Sequence, residues 1–267
     1  ATVNIYSNYL AFAIEGMDSI LKMPNGCFEQ VSSSLYPDIM VLSYLETSDS
    51  DDEELKEKAI EYINAGYQKI LTYEVPGERG GFSLYGRPKA ETVLTAYGLM
   101  ELNDLNKVYK IDEDVLKRME EFLTSKQEAD GSFEITGYTS VIDAYQEVTQ
   151  NAYITWALSE YNSKSDVVKK GIEYLLEEAE DVEDNYTLSL IVNALINVND
   201  PHKNKYLDEL LEDVKEDEYG NKYLTTSRND YMGTRYGMNV QTTAMASMAL
   251  SKLDKENSLN QSFINYI

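Results

Sequence analysis

The single cysteine of the chain lies in Gly26-Cys27-Phe28-Glu29-Gln30, three residues ahead of a glutamine. A thiol and a carboxamide at that spacing can condense, with loss of ammonia, into an internal thioester. Such a bond is a stored acyl donor, and a nucleophile that reaches it becomes covalently attached. Residues i and i+3 share one side of a helical turn, so Cys27 and Gln30 can meet where the segment is helical or nearly so. Met23-Pro24-Asn25-Gly26 has turn chemistry, and an apolar helical pattern starts soon after, at Val31. Cys27 therefore falls at or near a helix N-terminus, where free N–H groups and the helix dipole favour an anionic sulfur. Glu29 points elsewhere on the turn and reads as a local capping or pairing group. Phe28 serves equally well as a shield for the bond or as a core residue.

Other chemistry has thinner support. The only histidine, His202, stands in Asn199-Asp200-Pro201-His202-Lys203, a polar connection between helices. A hydrolase pairing Cys27 with His202 would rest on that one loop histidine, with no cysteine-protease signature around the thiol. One cysteine makes no internal disulfide and no cysteine-rich zinc module. The residues therefore call for no cofactor and no metal.

The chain has 47 acidic and 23 basic residues, a formal net charge of −24. That field repels a phosphate backbone and an anionic membrane surface, which argues against nucleic-acid binding. No apolar run is long enough for a bilayer span, so no membrane insertion is expected. Acidic runs such as Asp49 to Glu54 and Glu177 to Asp184 read as helix starts and solvated faces. No signal peptide is visible from Ala1 onward, which suggests an excised domain or a processed chain.

The elements that must position the pair are helical. Amphipathic patterns run from Asp51 to Tyr73, Asp112 to Gln127, Asp166 to Glu180 and Asn204 to Lys215, close to a 3.6-residue period. Several begin at an acid or asparagine suited to an N-cap. More apolar stretches alternate with them at Leu35 to Leu45, Thr92 to Leu102, Ala152 to Tyr161, Leu188 to Val198 and Thr242 to Leu253. The alternation suggests an inner and an outer layer. A weak repeat supports it: Gln150-Asn151-Ala152, Gln241-Thr242-Thr243-Ala244 and Thr95-Ala96 each open an apolar helix. Loops with Gly80-Gly81-Phe82 and Asp130-Gly131-Ser132-Phe133 precede two of the three. Helix pairs repeating every 50 residues or so stack to share a core. Gln127-Glu128-Ala129-Asp130-Gly131-Ser132-Phe133 resembles the loop of α/α toroids, and the number of helices fits closure better than an open solenoid, so the expectation is an all-α fold, an α/α toroid of about six helical hairpins, read as one domain over residues 1–267. The tyrosine-rich stretch Asp217 to Asn239 reads as an ordered loop or short hairpin.

Pro24-Asn25-Gly26-Cys27-Phe28-Glu29-Gln30 resembles the thioester signature of the alpha-2-macroglobulin and complement family. Ser32-Ser33-Ser34-Leu35-Tyr36-Pro37 is similar to the stretch after the motif in bacterial members. Gly80-Gly81-Phe82-Ser83-Leu84-Tyr85-Gly86 and Leu94-Thr95-Ala96-Tyr97-Gly98-Leu99 also look like family landmarks, so the resemblance covers nearly the whole chain. It implies the thioester domain of a larger multidomain protein, an α/α toroid whose bond other domains shield. Cys27 would be the thiol and Gln30 the acyl donor. Opening after cleavage of a bait region elsewhere would expose the bond to amines or hydroxyls of a target protease or surface protein. The resemblance further implies a location outside the cytoplasm: secreted, periplasmic or at the cell surface, with the bacterial look of the motif favouring a bacterial envelope.

Two departures bear on the chemistry. Phe28 replaces the glycine of many vertebrate members. In some complement components a histidine after a Val-Ile pair attacks the thioester and speeds transfer to hydroxyls. In this chain the similar stretch is Ser140-Val141-Ile142-Asp143, and Asp143 stands at that position. A carboxylate supplies no neutral nitrogen nucleophile, so the resemblance implies direct reaction with amines such as lysine side chains. Two readings of other classes stay open on the sequence. One is a toroid enzyme of the prenyltransferase or terpene-cyclase type. The other is a helical binding scaffold with no chemistry, in which Cys27 is one more small packed residue.

Overall fold

The computed structural model describes residues 16–48, 52–137, 147–227, 235–254 and 257–267. Two compact units divide the chain, Ala1–Phe122 and Leu123–Ile267. Within the first, helices α1 (Phe28–Thr47), α2 (Glu53–Leu71) and α3 (Thr92–Val108) follow one another, and α4 (Glu113–Ser125) carries the chain into the second. The second contains α5 (Glu147–Asn162), α6 (Asp166–Glu178), α7 (Asn185–Asn197), α8 (Lys203–Glu212), α9 (Arg235–Leu253) and α10 (Ser258–Tyr266). A short hairpin, β1 (Val214–Glu216) and β2 (Lys222–Leu224), separates α8 from α9.

Two kinds of helix alternate, as the sequence pattern predicts. In α7 every residue from Asn185 to Leu195 is buried, and α5 is buried continuously from Thr149 to Ser159 apart from Tyr153. By contrast α2 buries one stripe, Leu55, Ala59, Ile63, Gly66, Tyr67 and Ile70, and α6 buries Val167, Val168, Gly171, Ile172 and Leu175. Helices buried all round need neighbours on every side, whereas one-stripe helices face water with the rest of their surface. Accordingly α1 packs on α2 and α3 in the first unit, while α7 packs on α5, α8 and α9 in the second. The fold is mostly helical, helix hairpin after helix hairpin, of the α/α-toroid class.

The repeat has a structural signature. In each copy a backbone N–H in the loop is donated to a side chain on the first turns of the following buried helix. Phe82 N–H donates to Thr95 Oγ1 at 3.0 Å, Phe133 N–H to Asn151 Oδ1 at 2.6 Å, and Leu224 N–H to Thr243 Oγ1 at 3.0 Å. The same loop residues pair with the incoming chain as antiparallel bridges, Glu74 with Phe82, Gln127 with Phe133 and Val214 with Leu224. Two glycines are required by this packing. Gly80 (φ +82°) and Gly131 (φ +94°) lie so close to the next one-stripe helix that a Cβ would fall 1.9 Å from Arg118 O and 2.3 Å from Lys170 O.

The hairpin corrects two sequence boundaries. The helix expected to reach Lys215 ends at Glu212, because β-branched Val214 pairs with Leu224 instead. The excursion expected to reach Asn239 is shorter, since α9 takes Tyr236, Gly237 and Asn239 into its first turns.

Candidate functional site

Helix α1 starts at Phe28, just ahead of the apolar pattern at Val31, with Cys27 as its N-cap in extended conformation (φ −79°, ψ 178°). The first N–H groups of a helix have no intrahelical acceptor and must find one elsewhere. Here the motif supplies its own. Cys27 N–H donates to Gln30 Oε1 at 3.0 Å, and the Gln30 N–H faces the Cys27 side chain, the reciprocal pairing of a capping box. Phe28 N–H goes to Leu84 O at 3.0 Å, in the loop before α3. The three-residue spacing on which the sequence expectation of acyl chemistry rests is thus the spacing of a capping pair. The amide beside the sulfur holds the oxygen of the carboxamide.

Gly26 makes room for this arrangement. Its φ of +104° is a conformation that side-chain-bearing residues rarely adopt. A Cβ there would lie 2.2 Å from Gln30 Oε1 and 2.9 Å from Gln30 Cδ, inside the space the carboxamide fills. Asn25 Oδ1 accepts from Gly26 N–H at 2.8 Å, and the Tyr73 hydroxyl donates to Gly26 O. Cys27 is half-buried and Gln30 exposed.

Beneath the turn is an aromatic plug. Phe28 is fully buried, edge-on to Tyr73 and Phe82 at 6.0 Å and to Tyr97 at 6.5 Å. Gly98 lets it in, since a Cβ there would meet Phe28 Cζ at 2.8 Å. Of the two roles open to Phe28 in the sequence, its position is that of a core residue. Glu29 sits in the first turn of α1, favourable for an acid at a helix N-terminus, and its charge helps raise the Tyr97 hydroxyl above its ordinary range after burial has done most of that.

Behind the plug, between α1 and α3, is a buried acid the sequence did not single out. Glu101 is wholly buried, and its carboxyl faces the Ser32 hydroxyl of α1 without closing a well-formed hydrogen bond. Burial pushes its carboxyl up to about 8, partly offset by Ser32 on α1. Asp38, one oxygen accepting from Lys22 N–H at 3.2 Å, is raised by burial to about 7. Tyr36 stacks on Tyr97 and donates to Asp104 Oδ2 at 2.5 Å, which ties α1 to α3. Glu101 leaves one trace in the sequence, a lone acid in the apolar run Leu99 to Leu102. Tyr73 leaves none, being one of 22 tyrosines.

His202 is in the other unit from Cys27, exposed at the start of α8, with its Nδ1 2.8 Å from Asp200 Oδ1. Asp143 lies outside the described residues. Among the described residues no cluster of His, Cys, Asp and Glu is arranged to hold a metal ion, and no helix is long and apolar enough to cross a membrane.

A thiol and a carboxamide face each other at a helix start in a chain of stacked helix hairpins, the arrangement expected of a thioester-bearing domain. Residues 2–265 match the family described as the A-macroglobulin TED domain, and the chain belongs to it. It is 33% identical to ovostatin of Gallus gallus over 201 residues, 72% of this chain and 13% of that protein. It is 27% identical to thioester-containing protein 1, allele S3, of Anopheles gambiae over 257 residues, 93% of this chain and 18% of that protein. Allele R1 of the same protein is 27% identical over 214 residues, 77% of this chain and 16% of that protein. The chain thus spans less than a fifth of the length of these relatives.

Proposed function

We propose that Cys27 and Gln30 condense into an internal thioester, which this domain uses once to attach itself to a target. In formation, Cys27 Sγ adds to Gln30 Cδ, the C–N bond breaks, and the nitrogen leaves as ammonia carrying the thiol proton. In capture, a target amine adds to the same carbon, the C–S bond breaks, and the thiol of Cys27 is restored. The amide product is far less reactive than the thioester, so the domain acts once and is not an enzyme. The observation that carries this reading is the reciprocal pairing of Cys27 with Gln30, beside a left-handed glycine that leaves space for the carboxamide. The name of the Anopheles relatives, thioester-containing protein, supports it.

The finer reading follows from the family. The chain is one continuous domain over 1–267, part of a longer multidomain protein whose other domains shield the bond. That protein works outside the cytoplasm, at an envelope or surface or as a secreted protein, and the motif's likeness to bacterial members favours a bacterial envelope. Its targets are attacking proteases or surface proteins, reached through lysine amines. Asp143, in place of a nucleophilic histidine, leaves the bond to react directly with amines.

Intact mass of the fresh protein, with and without methylamine, tests the reading. The expected result is a mass lighter by one ammonia, with methylamine adding at Gln30 and freeing Cys27, and neither effect in Gln30→Glu. The full encoded mass with unmodified Gln30 would favour the scaffold reading. Asp143→His is expected to raise transfer to glycerol relative to methylamine, and an unchanged ratio would remove Asp143 from the account.

A further inference from the structure

The Gly26–Cys27 peptide is hydrogen-bonded at both ends. Its carbonyl accepts from the Tyr73 hydroxyl, and its N–H donates to Gln30 Oε1. The donor at the carbonyl end is well fixed. Tyr73 is only 6% exposed, its ring is edge-on to Phe28, its N–H is bonded to Ile70 O and its carbonyl accepts from Ser83 N–H. The left-handed Gly26 in turn fixes the peptide plane. A hydrogen bond to a carbonyl withdraws electron density from its amide and strengthens the N–H at the far end as a donor. Gln30 Oε1 is the atom on which negative charge gathers when a nucleophile adds to Gln30 Cδ, and a fixed donor there stabilises that transition state.

We infer that Tyr73 is a positioning residue for acyl transfer: its hydroxyl orients and polarises the Gly26–Cys27 peptide, making Cys27 N–H the oxyanion donor for Gln30. This inference rests on the thioester reading. In the step concerned a primary amine forms a C–N bond to Cδ, Oε1 takes the negative charge, and the carbonyl re-forms as the C–S bond breaks. The electron pair of that bond leaves on Sγ, and the ammonium proton passes to the thiolate. Water follows the same course in hydrolysis, so both reactions use the same donor. A tyrosine that merely sheltered the bond would act in the opposite sense, and its loss would speed both.

The wild-type chain is first shown by mass to have lost ammonia. Tyr73→Phe keeps the buried ring and removes only the hydroxyl. It is expected to react with methylamine and with water about fivefold more slowly, the scale of one hydrogen bond's net worth. The infrared carbonyl band of 13C-labelled Gln30 is expected to move to higher frequency. Unchanged or faster rates, with the band unmoved, would overturn the inference and leave the thioester intact. Fluorotyrosine at position 73 keeps both ring and hydroxyl and so does not depend on how Tyr73→Phe folds. Its more acidic phenol is a stronger donor and should accelerate both reactions, and no acceleration would count against the role. A wild-type chain that retains its ammonia would overturn this inference together with the reading beneath it.

Discussion

Glu101 holds a proton that an acid in water would have lost. Its carboxyl, at about 8 instead of 4.5, stays neutral in the fold across pH values at which the unfolded chain ionises freely. Between those limits the folded state binds more protons than the unfolded state, so stability falls as pH rises and levels off above about 8. Asp38 adds a contribution of the same sign that ends near 7. Glu101→Gln keeps the shape of the neutral acid and removes the titration. The expected outcome is a variant close to wild type at pH 5 and more stable than it at pH 8, by on the order of a few kcal/mol. Urea unfolding of both proteins at the two pH values measures it, and parallel losses would show Glu101 ionised in the fold. The sequence displays the Cys27–Gln30 pair because capping and the proposed acyl chemistry need the same three-residue spacing. It does not display Glu101 as buried beside Ser32 and Tyr97, since the contact with Ser32 joins α1 to α3 across some 70 positions that no local pattern encodes.

At the scale of elements, the helices were legible because burial imposes a period on the side chains. The one-stripe helices fall within a few residues of their expected limits, as α6 does at Asp166–Glu178. Helix α1 was legible from Val31, and its start near Cys27 from the turn chemistry of Met23 to Gly26, although Ser32, Ser33, Ser34 and Pro37 interrupt its apolar pattern. The loops were less legible still, because their order comes from hydrogen bonds to residues distant in the chain, as with Leu224 and Thr243. Thr95 tests that arrangement. Its hydroxyl is the acceptor for the buried Phe82 N–H. Thr95→Val preserves shape and leaves that donor unsatisfied, which costs about 1–3 kcal/mol. A loss in that range in urea unfolding is the expected result. A change near zero would mean that the loop is held by its other bonds, such as Glu91 N–H to Phe82 O and the bridge to Glu74.

For the whole molecule the decisive quantity is charge, which is read from the sequence by counting. Which cations are already engaged is not, and the structure shows Arg79, Arg118, Lys126 and Lys252 each paired with acids of their own unit. The net charge of −24 is therefore presented to a partner by a surface whose basic groups are in part locally occupied. Such a field raises the encounter rate with basic proteins and lowers it with acidic ones, by roughly tenfold or more at low salt. It would not alter the proposed acyl transfer from Gln30, which is the same for any lysine amine. Covalent capture should then follow the charge of the target. With a basic and an acidic protein of equal lysine content, the basic one is expected to be captured faster at low ionic strength. The ratio should shrink toward one near 1 M salt, where the screening length falls to about 3 Å. The rate with methylamine, small and without a protein's extended charge, should change far less over the same range. A capture ratio that ignores salt would show that local fit around Cys27 selects the target, and that the acidic surface serves solubility alone.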